Sequence, residues 1–341
     1  MIGKFCVAVC AICLSSAYSW ERKKNRGAAY VFISILILIL TLAFTFREYI
    51  FQDGMGADYF AYQQWFQSMS FSRLGLRFTN IGFDVFIVAV KLFYNNFHFF
   101  LFLCGLLINT LIYRFIEKHS YDVFFSSVLY VCLMYFSAFN ILRQWIACAI
   151  YLSAFEFLMD KKPVKYTLLV ILAATFHNSA IFLLFLYPII NCRISFPKKA
   201  SLTMAASVLC YVGFPTVFRM IMALTEQLGL GYLQKYGTAL NLDLGNFTPF
   251  IISLFISICL IYMYFNNMLD EQMQKYAVWG ILATGCTFLS PVNFIFNRMS
   301  VYVFVSCIIT FPIILKSLSD NGSKHIFKMA VGGLVLISFV I

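Results

Sequence analysis

Charge is scarce in this chain. Only 11% of its 341 residues are Asp, Glu, Lys or Arg, with 14 acids against 25 bases. An average globular domain carries about 25% charged residues, so a water-facing fold is excluded. Histidine is rarer still, with 4 in all, and no HExxH exists to support zinc proteolysis. No Walker A loop and no DxD pair are present, and Asn241-Leu242-Asp243-Leu244 offers one acid only. ATP hydrolysis and metal-dependent nucleotide-sugar chemistry therefore lack support, and neither a metal nor another cofactor is expected. The 11 cysteines, among them Cys6, Cys10, Cys13, Cys104, Cys132 and Cys148, are taken as scattered singly through apolar segments and read as small buried hydrophobes, not a disulfide framework or a metal site. The formal charge of +11 resides mostly in short loops, without a basic stripe interleaved with aromatics, so nucleic acid is not an expected partner.

Apolar residues make up 62% of the chain, in runs of about 16 to 25 residues, close to bilayer length. A β-barrel would instead show short alternating strands. The 40 Phe and 20 Tyr suit lipid-facing and interfacial surfaces. The expectation is an all-α, polytopic integral membrane bundle of about 11–12 helices forming a single transmembrane domain over 1–341. Spans are predicted near 2–20, 27–47, 98–116, 123–139, 141–159, 166–190, 200–222, 247–267, 276–290, 298–316 and 326–341. The piece 81–94 is short for a crossing and fits a re-entrant or interfacial helix. Lys4 precedes the first apolar run and Arg22, Lys23, Lys24 and Arg26 follow it, the reverse of a cleavable signal, so it is expected to stay as a helix.

Basic loops orient such helices. Loops 21–26, 114–118, 161–165 and 316–328 should be cytoplasmic, which puts loops 48–80 and 223–246 and the turn at Asn140 outside. One straight crossing over 166–190 would carry Arg193, Lys198 and Lys199 outside; a helix broken near His177 avoids this. The expected location is a bacterial inner membrane, with the functional face turned to the exterior.

The polar exceptions are where function is sought, because a charged group at membrane depth is costly and usually kept for a purpose. Arg47 and Glu48 precede Gly54-Met55-Gly56-Ala57-Asp58-Tyr59-Phe60-Ala61-Tyr62-Gln63-Gln64-Trp65-Phe66. Its glycines suit a turn before a helix with Asp58 at or near the N-cap, and Tyr59, Tyr62 and Phe66 share one face. Aromatics with an acid suit a sugar-binding surface or, equally, an interfacial belt. Arg143 and Gln144 open a helix, where a guanidinium and the positive helix end either meet phosphate or snorkel to headgroups. His177, flanked by Asn178 and Ser179, reads as a proton-transfer group or as an interhelical polar contact. Asn293, Asn297, Arg298 and Tyr302 start a late helix; Arg298 is a second cation for a pyrophosphate or another membrane anchor. Glu156 is expected to pair with a cation in the bundle, and Asp84 with Lys91.

Taken in order, Arg47, Gly56-Ala57-Asp58-Tyr59-Phe60-Ala61-Tyr62, Gly82-Phe83, Arg143-Gln144 with Ala147, Phe176-His177-Asn178-Ser179-Ala180, and Arg298 with Tyr302 resemble the EpsG-like family, a branch of Wzy-type polysaccharide polymerases. The likeness covers about residues 40–310. One departure is Asn80-Ile81-Gly82-Phe83-Asp84, where the family's acid before the glycine is missing. The resemblance implies a metal-independent membrane glycosyltransferase related to the GT-C architecture. Its partner would be a polyprenyl-pyrophosphate-linked oligosaccharide in membrane lipid, with a chain-length regulator as protein partner. On that reading His177, or Asp58 in competition, is the base; Arg143, Arg298 and Arg47 hold pyrophosphate; and Tyr59, Tyr62, Trp65, Gln144, Asn178, Ser179, Asn297 and Tyr302 line the substrate. A transporter or flippase of lipid-linked glycan, a related O-antigen ligase, and an acyltransferase with an intramembrane histidine are the alternatives.

Overall fold

The structure, a computed structural model, describes residues 2–51, 56, 58–74, 80–227, 247–318 and 321–340. Most of loop 223–246, and Gly54, Met55 and Ala57 of the first motif, lie outside the described residues. Every regular element described is helical. Among the described residues five helices are long and apolar enough to cross a membrane: α1 (Ile2–Glu21), α2 (Arg26–Thr45), α6 (Phe97–His119), α11 (Phe196–Gln227, over its Phe196–Ile221 part) and α12 (Thr248–Phe265). A bent pair, α14 (Phe294–Phe304) and α15 (Cys307–Ser317), adds a sixth if its two arms, 41° apart, count as one span. The chain is a multi-pass membrane protein by this composition.

Full-length spans are fewer than the apolar runs suggest because several runs are broken. The run 27–47 divides into α2 and the short α3 (Arg47–Phe51). The run 123–139 becomes α7 (Val123–Leu133) and a 3-10 segment, Tyr135–Phe139. The run 166–190 breaks at His177: α9 (Pro163–Phe176) ends there, and a 3-10 segment, Asn178–Phe185, leads into α10 (Leu186–Asn191). Between α3 and α6 lie α4 (Tyr59–Ser68) and α5 (Ile81–Phe93). At 1.5 Å per residue the 13-residue α5 reaches about 20 Å, short of the roughly 30 Å hydrocarbon core. The remaining elements are α8 (Leu142–Met159), α13 (Glu271–Leu289) and α16 (Asn321–Val340).

Contacts divide the chain into two compact units, Met1–Tyr187 with His325–Ile341, and Pro188–Lys324. In the first, α2 packs on α1 and α6, α8 on α6 and α9, and α5 on α9. Asn25 and Asn96 start α2 and α6, each side chain accepting an orphan amide of its first turn, from Ala28 and Phe99. In the second unit α13 packs on α11, α12, α14 and α15. There the Thr284 hydroxyl donates to the Ser253 carbonyl at 2.7 Å and lies 2.6 Å from Ser257 Oγ, a polar tie between α12 and α13 of the kind apolar helices use.

The first unit has two chemically different ends. At one, Tyr18 and Tyr30 donate to Glu117, and Lys118 pairs with Glu156. Loops 21–26, 114–118 and 161–165 therefore share that end, and Glu156 has the cation expected for it. The polar motifs gather at the other.

Candidate functional site

The site end is built around the turn at Asn140. The 3-10 segment stops there and α8 begins at Leu142, with Ile141 as an N-cap that offers no side-chain bond. Arg143 thus sits in the first helical turn, where backbone amides add positive partial charge. Gly56 presses on this turn at φ +101°, a conformation that favours glycine. A Cβ on it would lie 2.7 Å from the Phe139 carbonyl oxygen and 2.9 Å from Asn140 Oδ1. The Tyr62 hydroxyl donates to the Asn140 carbonyl at 3.4 Å. The aromatic motif and the Asn140 turn are thereby held against each other.

Arg143 is half-buried above two rings, its guanidinium 4.5 Å from the Trp65 centroid and 6.0 Å from that of Phe83. The Trp65 indole N–H donates to Asp84 Oδ1 at 2.9 Å. Donation to a carboxylate draws electron density onto the indole and strengthens its face as a cation seat. Asp84, 2% exposed in the first turn of α5, thus acts on Arg143 through Trp65. The expected Asp84–Lys91 pair is corrected: Lys91 Nζ turns instead to the carbonyls of Phe66, Gln67 and Met69, whose dipoles satisfy its donors.

Asn80 completes the arrangement from a left-handed position, φ 65°. Its amide orientation follows from its neighbours. The nitrogen donates to the Phe176 carbonyl at 3.1 Å and the oxygen accepts from Arg143 Nη1 at 2.9 Å. One amide therefore joins the Arg143 guanidinium to the residue before His177. Gly82 permits this approach of α5 to α9, since a Cβ there would stand 2.2 Å from Thr175 Oγ1 and 3.1 Å from the Thr175 carbonyl carbon. His177 is the extended residue closing α9 (φ −151°), half-buried, with Nδ1 2.7 Å from Ser179 Oγ. Asn178 is exposed beside it.

Other predicted residues lie apart from this cluster or are enclosed. Arg47 is fully buried, its guanidinium 4.6, 5.2 and 5.3 Å from the rings of Phe44, Tyr59 and Phe139, with no hydrogen-bond partner for Nε, Nη1 or Nη2 among the described residues. Tyr59 is buried and donates to Glu48, whose other oxygen is 2.5 Å from His98 Nε2. Burial works to raise the Glu48 carboxyl, but the Tyr59 and His98 hydrogen bonds prevail and hold it below the usual carboxylate range. The Tyr59 hydroxyl is pushed up by burial and by Glu48. Tyr62 is also pushed up by burial, against the opposing effect of Arg143. Asp58 is the half-buried N-cap of α4, without a side-chain cap bond, and Gln144 is buried within the bundle.

Asn293, Asn297, Arg298 and Tyr302 belong to the second unit. Asn293 is buried and caps α14, its Oδ1 accepting from the Ile295 amide at 2.9 Å, while its Nδ2 has no hydrogen-bond partner among the described residues. Asn297 is exposed, Arg298 half-buried and Tyr302 buried.

The reading of the cysteines needs correction too. Cys104, Cys148 and Cys307 are buried, but Cys6 and Cys13 are exposed on α1, an edge helix packed mainly on α2 and α7. Cys10 and Cys13 stand at CxxC spacing, which sequence reading passed over; both are free thiols. Sequence reading also missed Asn80 as a bridge and Glu48 with His98 as a pair; positive φ and long-range contact carry no local signal.

A model of the EpsG family matches residues 6–341. No curated protein and no solved structure matches the chain. The family match takes in the aromatic motif, the Asn140 turn and the His177 break along with the Arg298 helix, nearly the whole chain; the protein belongs to the EpsG family, which is implicated in exopolysaccharide biosynthesis.

Proposed function

We propose that the chain polymerises lipid-linked oligosaccharide repeats on the extracytoplasmic face of a bacterial inner membrane. The growing glycan leaves its polyprenyl-pyrophosphate carrier and joins the next lipid-linked repeat. In that transfer the anomeric carbon–oxygen bond to pyrophosphate breaks. A bond forms from the acceptor hydroxyl oxygen to the same carbon, and the hydroxyl proton passes to a base. The bonding electrons leave with the pyrophosphate.

Arg143 is the cation assigned to the departing diphosphate, a group suited to bidentate guanidinium contacts, and the family resemblance adds Arg298 as a second candidate for that role. The imidazole of His177 is the favoured base, oriented by Ser179, with Asp58 as the competing one. Tyr62 and Trp65 border the sugar path, and the exposed Asn178 and Asn297 offer polar contacts. Arg47 and Tyr59 are enclosed, so a direct substrate contact from either requires their ring cage to part.

The observation that carries this reading is the Asn80 bridge between Arg143 and the backbone at His177. The test is polymerisation in vitro with purified lipid-linked repeats. Loss of a preorganised charge contact costs on the order of 2–4 kcal/mol in the transition state. Arg143→Ala and Arg298→Ala should therefore insert normally yet leave single repeats unextended. Full-length ladders from both variants would remove the diphosphate role from both arginines, and strong inhibition by a chelator would reveal a metal requirement.

A further inference from the structure

The basic end of the first unit holds a cavity of about 220 Å³ between α6, α8 and α9. Its polar lining is Arg114, Lys118 and His119 from α6 with Ser153 and Glu156 from α8. Arg143 and Glu156 are at opposite ends of α8, about 20 Å apart at 1.5 Å per residue, so this cavity is separate from the site above.

The charges do not cancel. Lys118 is committed to Glu156 across the cavity wall. Arg114 is exposed and has no hydrogen-bond or ion-pair partner among the described residues. Lys165 stands 5.5 Å above the ring of Phe157, another lining residue, and adds a further positive charge beside that residue. Nearby carboxylates are engaged elsewhere: Glu117 by Tyr18 and Tyr30, Asp160 by Lys162. A water takes about 30 Å³, so the space admits a phosphate with residual solvent.

We propose that this cavity binds one phosphate group, carried by a phospholipid headgroup or free in solution. Arg114 and Lys165 are the attracting cations, and the Lys118–Glu156 pair sets the affinity. Glu156 is the one carboxylate lining the cavity among the described residues; it both repels the anion and holds Lys118 away from it. Removing its charge therefore strengthens binding, whereas removing Arg114 or Lys165 weakens it. A basic residue close to a membrane surface contributes about 1 kcal/mol toward an anionic headgroup, roughly a fivefold change in affinity.

The experiment uses the delipidated full-length protein in detergent. One arm titrates phosphatidylglycerol against phosphatidylcholine and reads bound lipid by native mass spectrometry. The other titrates inorganic phosphate and reads the thermal midpoint. Arg114→Gln and Lys165→Gln should each weaken the anionic ligand about fivefold, and Glu156→Gln should tighten it. That pattern in the lipid arm assigns a headgroup; the same pattern in the phosphate arm alone assigns a free phosphate. A gain of affinity in Glu156→Gln for phosphatidylglycerol without a gain for phosphatidylcholine separates the lost carboxylate charge from a general exposure of surface. The proposal is overturned if all three variants match the wild type in both arms, or if Glu156→Gln binds more weakly.

Discussion

Arg143 depends on the groups beneath it. Its guanidinium faces an indole whose N–H is bound to a buried carboxylate, so Trp65 and Asp84 act on it as one unit. A cation–π contact contributes about 0.5–2 kcal/mol. Trp65→Phe, which keeps a ring but loses the N–H, and Asp84→Asn, which keeps a polar partner but loses the charge, should each slow repeat extension about three- to tenfold. Because the two substitutions interrupt the same relay, the double variant should extend no more slowly than the worse single one, measured as extension rates against repeat concentration. Multiplying losses would separate Asp84 from Arg143. Arg143 itself was legible in the sequence, as a cation at a helix start in an apolar run. The relay was not, because Trp65 and Asp84 lie 19 positions apart and only packing joins them.

At the scale of elements, the decisive contact is α5 against the broken end of α9. The break at His177 was legible, since one straight span over 166–190 conflicted with the basic residues that follow. The docking of α5 there was not, because glycine is the absence of a side chain and does not name the partner that fills the space. Gly82→Ala must move Thr175 or part the two helices. Overpacking of this kind costs about 1–3 kcal/mol. The variant should still insert, melt a few degrees lower, and lose most extension activity because Asn80 no longer spans Arg143 and the backbone before His177. Thr175→Gly in the same chain makes room for the added methyl and should restore part of the activity. Absence of any rescue would argue against the close approach.

At the scale of the whole molecule, the tie among α3, α4 and α6 responds to pH. Glu48 ties α3 to α4 and α6 through Tyr59 and His98, and its folded carboxyl titrates below its unfolded value. That contribution to stability is therefore present above about pH 4.3, the ordinary Glu value, and is lost as pH falls through the lower folded value. Thermal midpoints in detergent should fall over this window in the wild type. The difference from Glu48→Gln should shrink over the same window, because the variant carries no titrating group there. A constant difference down to pH 3 would show that Glu48 is not held by these bonds.

Apolar run length and composition determined on their own that this is a helical membrane protein, and the polar residues stranded among them marked where function is sought. These are properties of composition and local order, and a bilayer imposes them segment by segment. Tertiary structure alone decided which polar residues meet. It enclosed Arg47 among rings, set Asp84 under Trp65 rather than beside Lys91, and made Asn80 the bridge from Arg143 to the backbone at His177. The reason is physical: each outcome turns on a close approach between segments distant in the chain, and neither helical period nor residue type specifies which faces pack together.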